Sequence, residues 1–132
     1  MKFTDGYWCV KKEMTPLYAV EYANSRRNGD ELTIYAPGKH IAHRGDSLNL
    51  GMLTIQLSSP MEDVIKVSVV HFEGTSYKGP FAEINHTSPH IIIEETEDFL
   101  TYQTGHTKAI IDKRPNSWGI RFMDGNRELT NT

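Results

Sequence analysis

The chain has 132 residues, 14 basic against 17 acidic side chains for a net charge of −3, 38% hydrophobic residues and a single cysteine. That length suits one domain with a buried core. The acidic balance argues against a phosphate-tracking nucleic-acid surface, and no apolar run approaches the roughly 18 residues that a membrane helix needs.

The first residues, MKFTDGYWCVKKEM, have one early Lys and no apolar stretch behind it, unlike a secretory leader. Cys9 has no internal disulfide partner, which suits a reducing cytoplasm, and between Trp8 and Val10 it reads as a buried structural thiol. Residues 17–22 (LYAVEY) are aromatic and aliphatic. Residues 24–30 (NSRRNGD) read as a polar turn around Asn28-Gly29, with the Arg26-Arg27 pair solvated there. Leu32, Ile34 and Ala36 then alternate with Thr33 and Tyr35, a half-buried strand stopped by Pro37-Gly38.

Residues 40–51 are polar and irregular and read as a loop. Two strands follow in LTIQLSSPMEDVIKVSVVHFEG: Leu53, Ile55 and Leu57 share one face, and so do Ile65, Val67 and Val69. Pro60 should end the first strand, with Ser59, Glu62 and Asp63 in the turn and the two runs antiparallel. His71 extends the second alternation as a hydrogen-bonded core or edge residue. Residues 74–89, punctuated by Gly79-Pro80 and Pro89, read as a long connection.

Residues 90–94 (HIIIE) are strongly β-branched, and residues 94–99 have the composition for one isolated helical turn. Residues 99–104 and 107–112 flank Gly105-His106 as a hairpin. Trp118, Ile120 and Phe122 alternate, and Asp124-Gly125 signals another hairpin into Arg127-Glu128-Leu129. With no sustained helical stripe, the expected fold is an all-β antiparallel sandwich or barrel spanning residues 1–132 as one domain.

Candidates for chemistry have plain structural readings. His40 and His43 lie in a loop where their spacing fixes no common direction, and His86 and His90 straddle Pro89, so no metal is assigned. Glu62, Asp63 and the run Glu94-Glu95-Thr96-Glu97-Asp98 could pair as acid and base, but read as turn and surface charge. Asn85-His86-Thr87 matches a glycosylation sequon. Trp8, Tyr18, Tyr22, Tyr77, Phe81 and Trp118 are the aromatics able to stack on a sugar ring or fill the core. No phosphate loop, dinucleotide fingerprint or nucleophile elbow is present, and no cofactor is called for.

An ordered set of pieces carries a resemblance. Met1 to Trp8, then Leu53-Thr54-Ile55, Ser59-Pro60, residues 63–67 (DVIKV) and His71-Phe72-Glu73-Gly74 resemble the N-terminal domain of glycoside hydrolase family 31, the bacterial α-xylosidase branch above all. Gly79-Pro80 with Ile84-Asn85, Thr104-Gly105 with Lys108-Ala109, residues 118–122 and Asp124-Gly125-Asn126-Arg127 continue it. The resemblance implies a galactose-mutarotase-like β-sandwich, truncated here, from an enzyme several times longer. The two catalytic aspartates of such enzymes lie in a (β/α)8 barrel, and no string of this chain matches the barrel's nucleophile motif, so no catalytic residue is carried over. What it implies further is a non-catalytic domain in a cytoplasmic, homo-oligomeric parent that removes α-linked xylose or glucose from oligosaccharides. The domain would partner that barrel, with no nucleic acid and no membrane. Residues 39–51 are the loop expected to approach a sugar site, its own or a neighbouring subunit's, through Arg44, Asp46 and Asn49. Related α-xylosidases carry an acidic residue near Leu48-Asn49, where this chain has the uncharged amide of Asn49. A self-standing carbohydrate-binding or protein-interaction sandwich is the other reading.

Overall fold

The computed structural model describes residues 10–70 and 87–132, which form nine strands in two antiparallel sheets. Among them the expectation of an all-β sandwich is met. The first sheet holds β1 (Asn24–Asn28), β2 (Glu31–Pro37), β3 (Met52–Met61) and β4 (Val64–Val70) in that spatial order. The second holds β5 (Ile91–Glu95), β6 (Phe99–Thr104), β7 (Thr107–Asp112), β8 (Gly119–Asp124) and β9 (Arg127–Asn131), again in chain order. Expectations for Met1 to Cys9, for His71-Phe72-Glu73-Gly74, Tyr77, Gly79-Pro80, Phe81, Ile84-Asn85 and His86 fall outside the described residues.

Alternation fixes which faces meet. Leu32, Ile34 and Ala36 of β2 pair across the ladder with Leu57, Ile55 and Leu53 of β3, and all six are buried. Leu100, Tyr102, Ile111, Ala109 and Ile120 do the same on β6, β7 and β8. These two inner faces form one core, in which each fully buried Leu or Ile contributes about 1.5–3 kcal/mol. Tyr102 lies directly opposite Ala109, so the large ring has room where its neighbour is a methyl group.

Four described hairpins have two-residue loops; besides Glu62-Asp63 these are the three glycine-led loops Gly29-Asp30, Gly105-His106 and Gly125-Asn126. Each of these three opens on a glycine with positive φ (+60°, +55° and +56°), and the second residue has none. That is the type II′ arrangement, whose twist suits flanking strands and whose first position favours glycine.

Three local expectations change. Residues 24–28 form the exposed edge strand β1, not a turn. Its ladder partner β2 is already aligned, and an edge strand needs backbone pairing more than apolar side chains. Arg26 and Arg27 are solvated on that edge, and the turn itself is only Gly29-Asp30. Pro60 does not stop β3. The register shifts by one residue between Ser58 and Met61, so the proline sits in a bulge where its missing donor costs no ladder bond, and its carbonyl accepts from the Thr87 N–H at 3.0 Å. Residues 94–99 make no helical turn: Glu94 and Glu95 finish β5. Thr96 closes the hairpin by donating its N–H to the Phe99 carbonyl at 2.8 Å and accepting the Phe99 N–H at its hydroxyl at 3.0 Å. Residues 17–22 lie outside the strands, but Val20 and Ala23 still donate to the Pro37 and Tyr35 carbonyls and so follow β2.

Candidate functional site

The two ends of the sandwich differ. At one end, hairpin turns hold the sheets together with polar contacts. Asp63, at the tip of the β3–β4 turn with φ +63°, accepts the backbone N–H groups of His106 (2.5 Å) and Thr107 (3.2 Å) from the β6–β7 turn. The His106 donor holds the Asp63 carboxyl below the usual carboxylate range, with the Thr107 donor and the nearby imidazole acting the same way. The Gly105 backbone passes so close that a Cβ there would run into the Asp63 carboxylate. Nearby, the Ser59 hydroxyl reaches the buried Thr104 hydroxyl at 3.3 Å, and the Tyr102 hydroxyl donates to the Asp30 carbonyl at 3.0 Å.

The opposite end opens. A groove of about 630 Å³ runs between the sheets, walled by Leu53, Ile55, Val67 and Val69 on one side and by Trp118 and Phe122 on the other. Register explains it: Val69 stands opposite Ile55 and Val67 opposite Leu57, so both valines point inward, yet they are 56% and 41% exposed. The expectation that Ile65, Val67 and Val69 share a face holds, but the described second sheet does not cover that face. Tyr18, 67% exposed, stands at the rim. The groove's lining includes no acidic side chain and no histidine.

The loop of residues 39–51 springs from this open end. It is closed at its base by the Gly38 N–H donating to the Gly51 carbonyl at 2.9 Å, beneath Leu17, which also lines the groove. Glu21 anchors its first arm, contacting His40 Nδ1 at 2.9 Å and accepting the Ile41 N–H at 2.9 Å. Residues Arg44–Ser47 make one 3-10 turn. Asp46 holds that turn by accepting the Ala42 and His43 N–H groups, both at 3.1 Å, with His43 Nδ1 at 3.5 Å. The Ser47 hydroxyl donates to the Arg44 carbonyl at 2.7 Å.

The three residues singled out in the sequence thus share one short loop in different circumstances. Asp46 is spent on the backbone. The Arg44 guanidinium is exposed and has no partner among the described residues. Asn49 is exposed with φ +55°, a left-handed position that Asn tolerates well. His40 and His43 each face a carboxylate of their own, and no cluster of metal-ligating side chains occurs among the described residues.

The candidate Glu95, and also Asp112, have structural work. Glu95 pairs with Lys113 at 2.7 Å, and Lys113 lies over the Tyr22 ring at 5.6 Å. Asp112 is bound by Arg114 through Nε at 3.0 Å and Nη2 at 2.6 Å, contacts that hold its carboxyl below the ordinary range. Sequence reading missed the groove and the turn-to-turn clasp. Their signals were the inward register of Val67 and Val69 and the acceptor side chain at the tip of the Glu62-Asp63 turn.

No helix among the described residues is long and apolar enough to cross a membrane. No protein-family model matches the chain. The curated proteins that match it include two α-xylosidases. The α-xylosidase XylQ of Lactiplantibacillus pentosus is 40% identical over 114 residues, 86% of this chain and 15% of that enzyme. An α-xylosidase of Emericella nidulans is 31% identical over 128 residues, 95% of this chain and 16% of the enzyme. The chain therefore spans about one sixth of the length of the relatives it matches; nearly all of its sequence is related to one segment of the α-xylosidases, and its described residues form a β-sandwich.

Proposed function

We propose that residues 1–132 are a single, non-catalytic N-terminal domain of a longer glycoside hydrolase family 31 enzyme. The parent hydrolyses terminal α-linked xylose or glucose with retention of configuration. The observation that carries this reading is the match itself: almost the whole chain aligns with 15–16% of two α-xylosidases. Retaining hydrolysis needs two carboxyls about 5–5.5 Å apart facing one pocket. The carboxylates of Asp46, Asp63 and Asp112 instead serve backbone turns or an arginine, and the groove is walled by hydrocarbon. The domain's role is to support a (β/α)8 barrel of the same parent and to lend it a loop. Arg44, Asp46 and Asn49 lie on that loop, with Asp46 shaping the turn that presents the other two. The parent is a homo-oligomer in this reading, and a cytoplasmic location suits a chain with one cysteine.

The test is a graft. This chain replaces the matching segment of the Lactiplantibacillus pentosus enzyme, and hydrolysis of an aryl α-xyloside is measured for the chimera and for the isolated chain. Activity is expected from the chimera and none above a mock preparation from the chain alone. An inactive chimera, or turnover by the isolated chain, overturns the reading.

A further inference from the structure

The outward face of the second sheet carries a hollow that adjoins the apolar groove, Trp118 and Thr132 lining part of both. Gly119 begins β8 and pairs with Asp112 of β7, while Arg121, two residues on and on the same face, pairs with Asn131 of β9. Asp112, Arg121 and Asn131 therefore surround a position that has no side chain. The result is a cleft of about 220 Å³ with the Gly119 backbone as its floor and Ser117 and Trp118 as its end wall. A Cβ on Gly119 would project into this space, 3.2 Å from the Thr132 carbonyl.

From this arrangement we infer that the Gly119 cleft is a binding site for a single neutral pyranose ring. Its volume lies below the roughly 300–1,000 Å³ of sites for drug-sized ligands, which leaves room for one small ring. Its walls combine an indole with planar polar groups. Apolar ring surface packs on the aromatic, and neighbouring hydroxyls of a sugar match fork-shaped donors and acceptors. The donors are available: the Trp118 indole N–H, the Ser117 hydroxyl and the Arg121 guanidinium have no hydrogen-bond partner among the described residues. The acceptor is fixed in place. Asp112 takes the Arg114 backbone N–H, Nε and Nη2, about three of the four lone-pair positions of a carboxylate, so one remains for a ligand. The charge of Asp112 is met by Arg114, and Arg121 is solvent-exposed, where salt screens its pull on an anion. Hydrogen-bond geometry therefore dominates over net charge, which favours a neutral ring. The choice of a xylose-type sugar as probe rests on the proposed function; the cleft itself does not.

The experiment titrates methyl α-D-xylopyranoside into the isotope-labelled chain to about 50 mM, well beyond a millimolar Kd, and follows the Trp118 indole and Gly119 amide resonances. Saturable shifts at both are expected. Arg121→Ala should weaken them at least about tenfold, one factor of ten in Kd, and Gly119→Val should abolish them by filling the hollow. Spectral dispersion reports that each variant is folded; should Gly119→Val unfold, Arg121→Ala alone decides. Absence of saturable shifts, shifts unchanged in Arg121→Ala, or binding of D-glucuronate but not of the methyl xyloside would each overturn the inference. An active chimera combined with no binding here would refute the cleft and leave the domain assignment standing.

Discussion

Tyr102 shows how one residue serves both chemistries of this sandwich. Its ring is fully buried in the core, while its hydroxyl emerges at the closed end to donate to the Asp30 carbonyl. Burial, with Asp30 and Glu31 nearby, pushes the phenol up to about 12, because the charged phenolate would lose its water. The unfolded chain releases this proton near the ordinary tyrosine value of about 10. The contribution of the neutral phenol is therefore fully present below pH 10 and is lost progressively as pH rises from there through 12. Urea titrations at pH 8 and pH 11 should show a drop in stability that is smaller in Tyr102→Phe. At pH 8 that variant should itself lose on the order of 1 kcal/mol for the missing hydrogen bond. Equal alkaline losses in both proteins would contradict the assignment.

At the scale of elements, the β3–β4 and β6–β7 turns are interlocked through Asp63. Its folded-state carboxyl lies below the ordinary range, so the stabilisation is present above the unfolded value and is lost as pH falls through the folded one. Asp63→Asn keeps a residue tolerant of the +63° backbone and one acceptor oxygen, but removes the titration. The variant should be less stable than the parent at pH 6. It should also show a shallower decline in urea midpoint below about pH 4, the unperturbed aspartate region. Parallel declines in the two proteins would exclude the clasp.

These elements also mark how far the sequence could be read. The strands with a buried face declared themselves by alternation, from Leu32-Ile34-Ala36 to Trp118-Ile120-Phe122. Gly105 and Gly125 marked their hairpins through turn chemistry alone. Asn24 to Asn28 could not, since an edge strand exposed on both faces has no hydrophobic period to display. Pro60 misled because a proline reads as a stop unless a bulge removes the need for its donor. The clasp joins residues 43 and 44 positions apart, so the acceptor at the tip of the Glu62-Asp63 turn did not name its partner. The loop of Arg44, Asp46 and Asn49 was visible as a loop, but that Asp46 is consumed in holding it depends on where Ala42 and His43 direct their N–H groups.

For the molecule as a whole, the asymmetry between a clasped end and an open one is the dominant property. The groove leaves Val67 and Val69 accessible on a face that the register aims inward. Such surface attracts apolar ligands and other copies of the chain. The isolated chain should therefore enhance the fluorescence of an apolar dye and show a mass that rises with concentration in light scattering. Val69→Lys, at a position 56% exposed, should suppress both with a change in stability within about 0.5 kcal/mol. Unchanged dye binding in that variant would locate the apolar surface elsewhere.

Among the described residues both sheets are meanders, each of the nine strands pairing within its sheet with its neighbours in chain order. Pairing can thus proceed by short loop closures within each half, and the late, costly event is the meeting of the two finished faces. This layout lets the nine described strands assemble as two separate leaves. Each leaf can close its own described ladders before it meets the other.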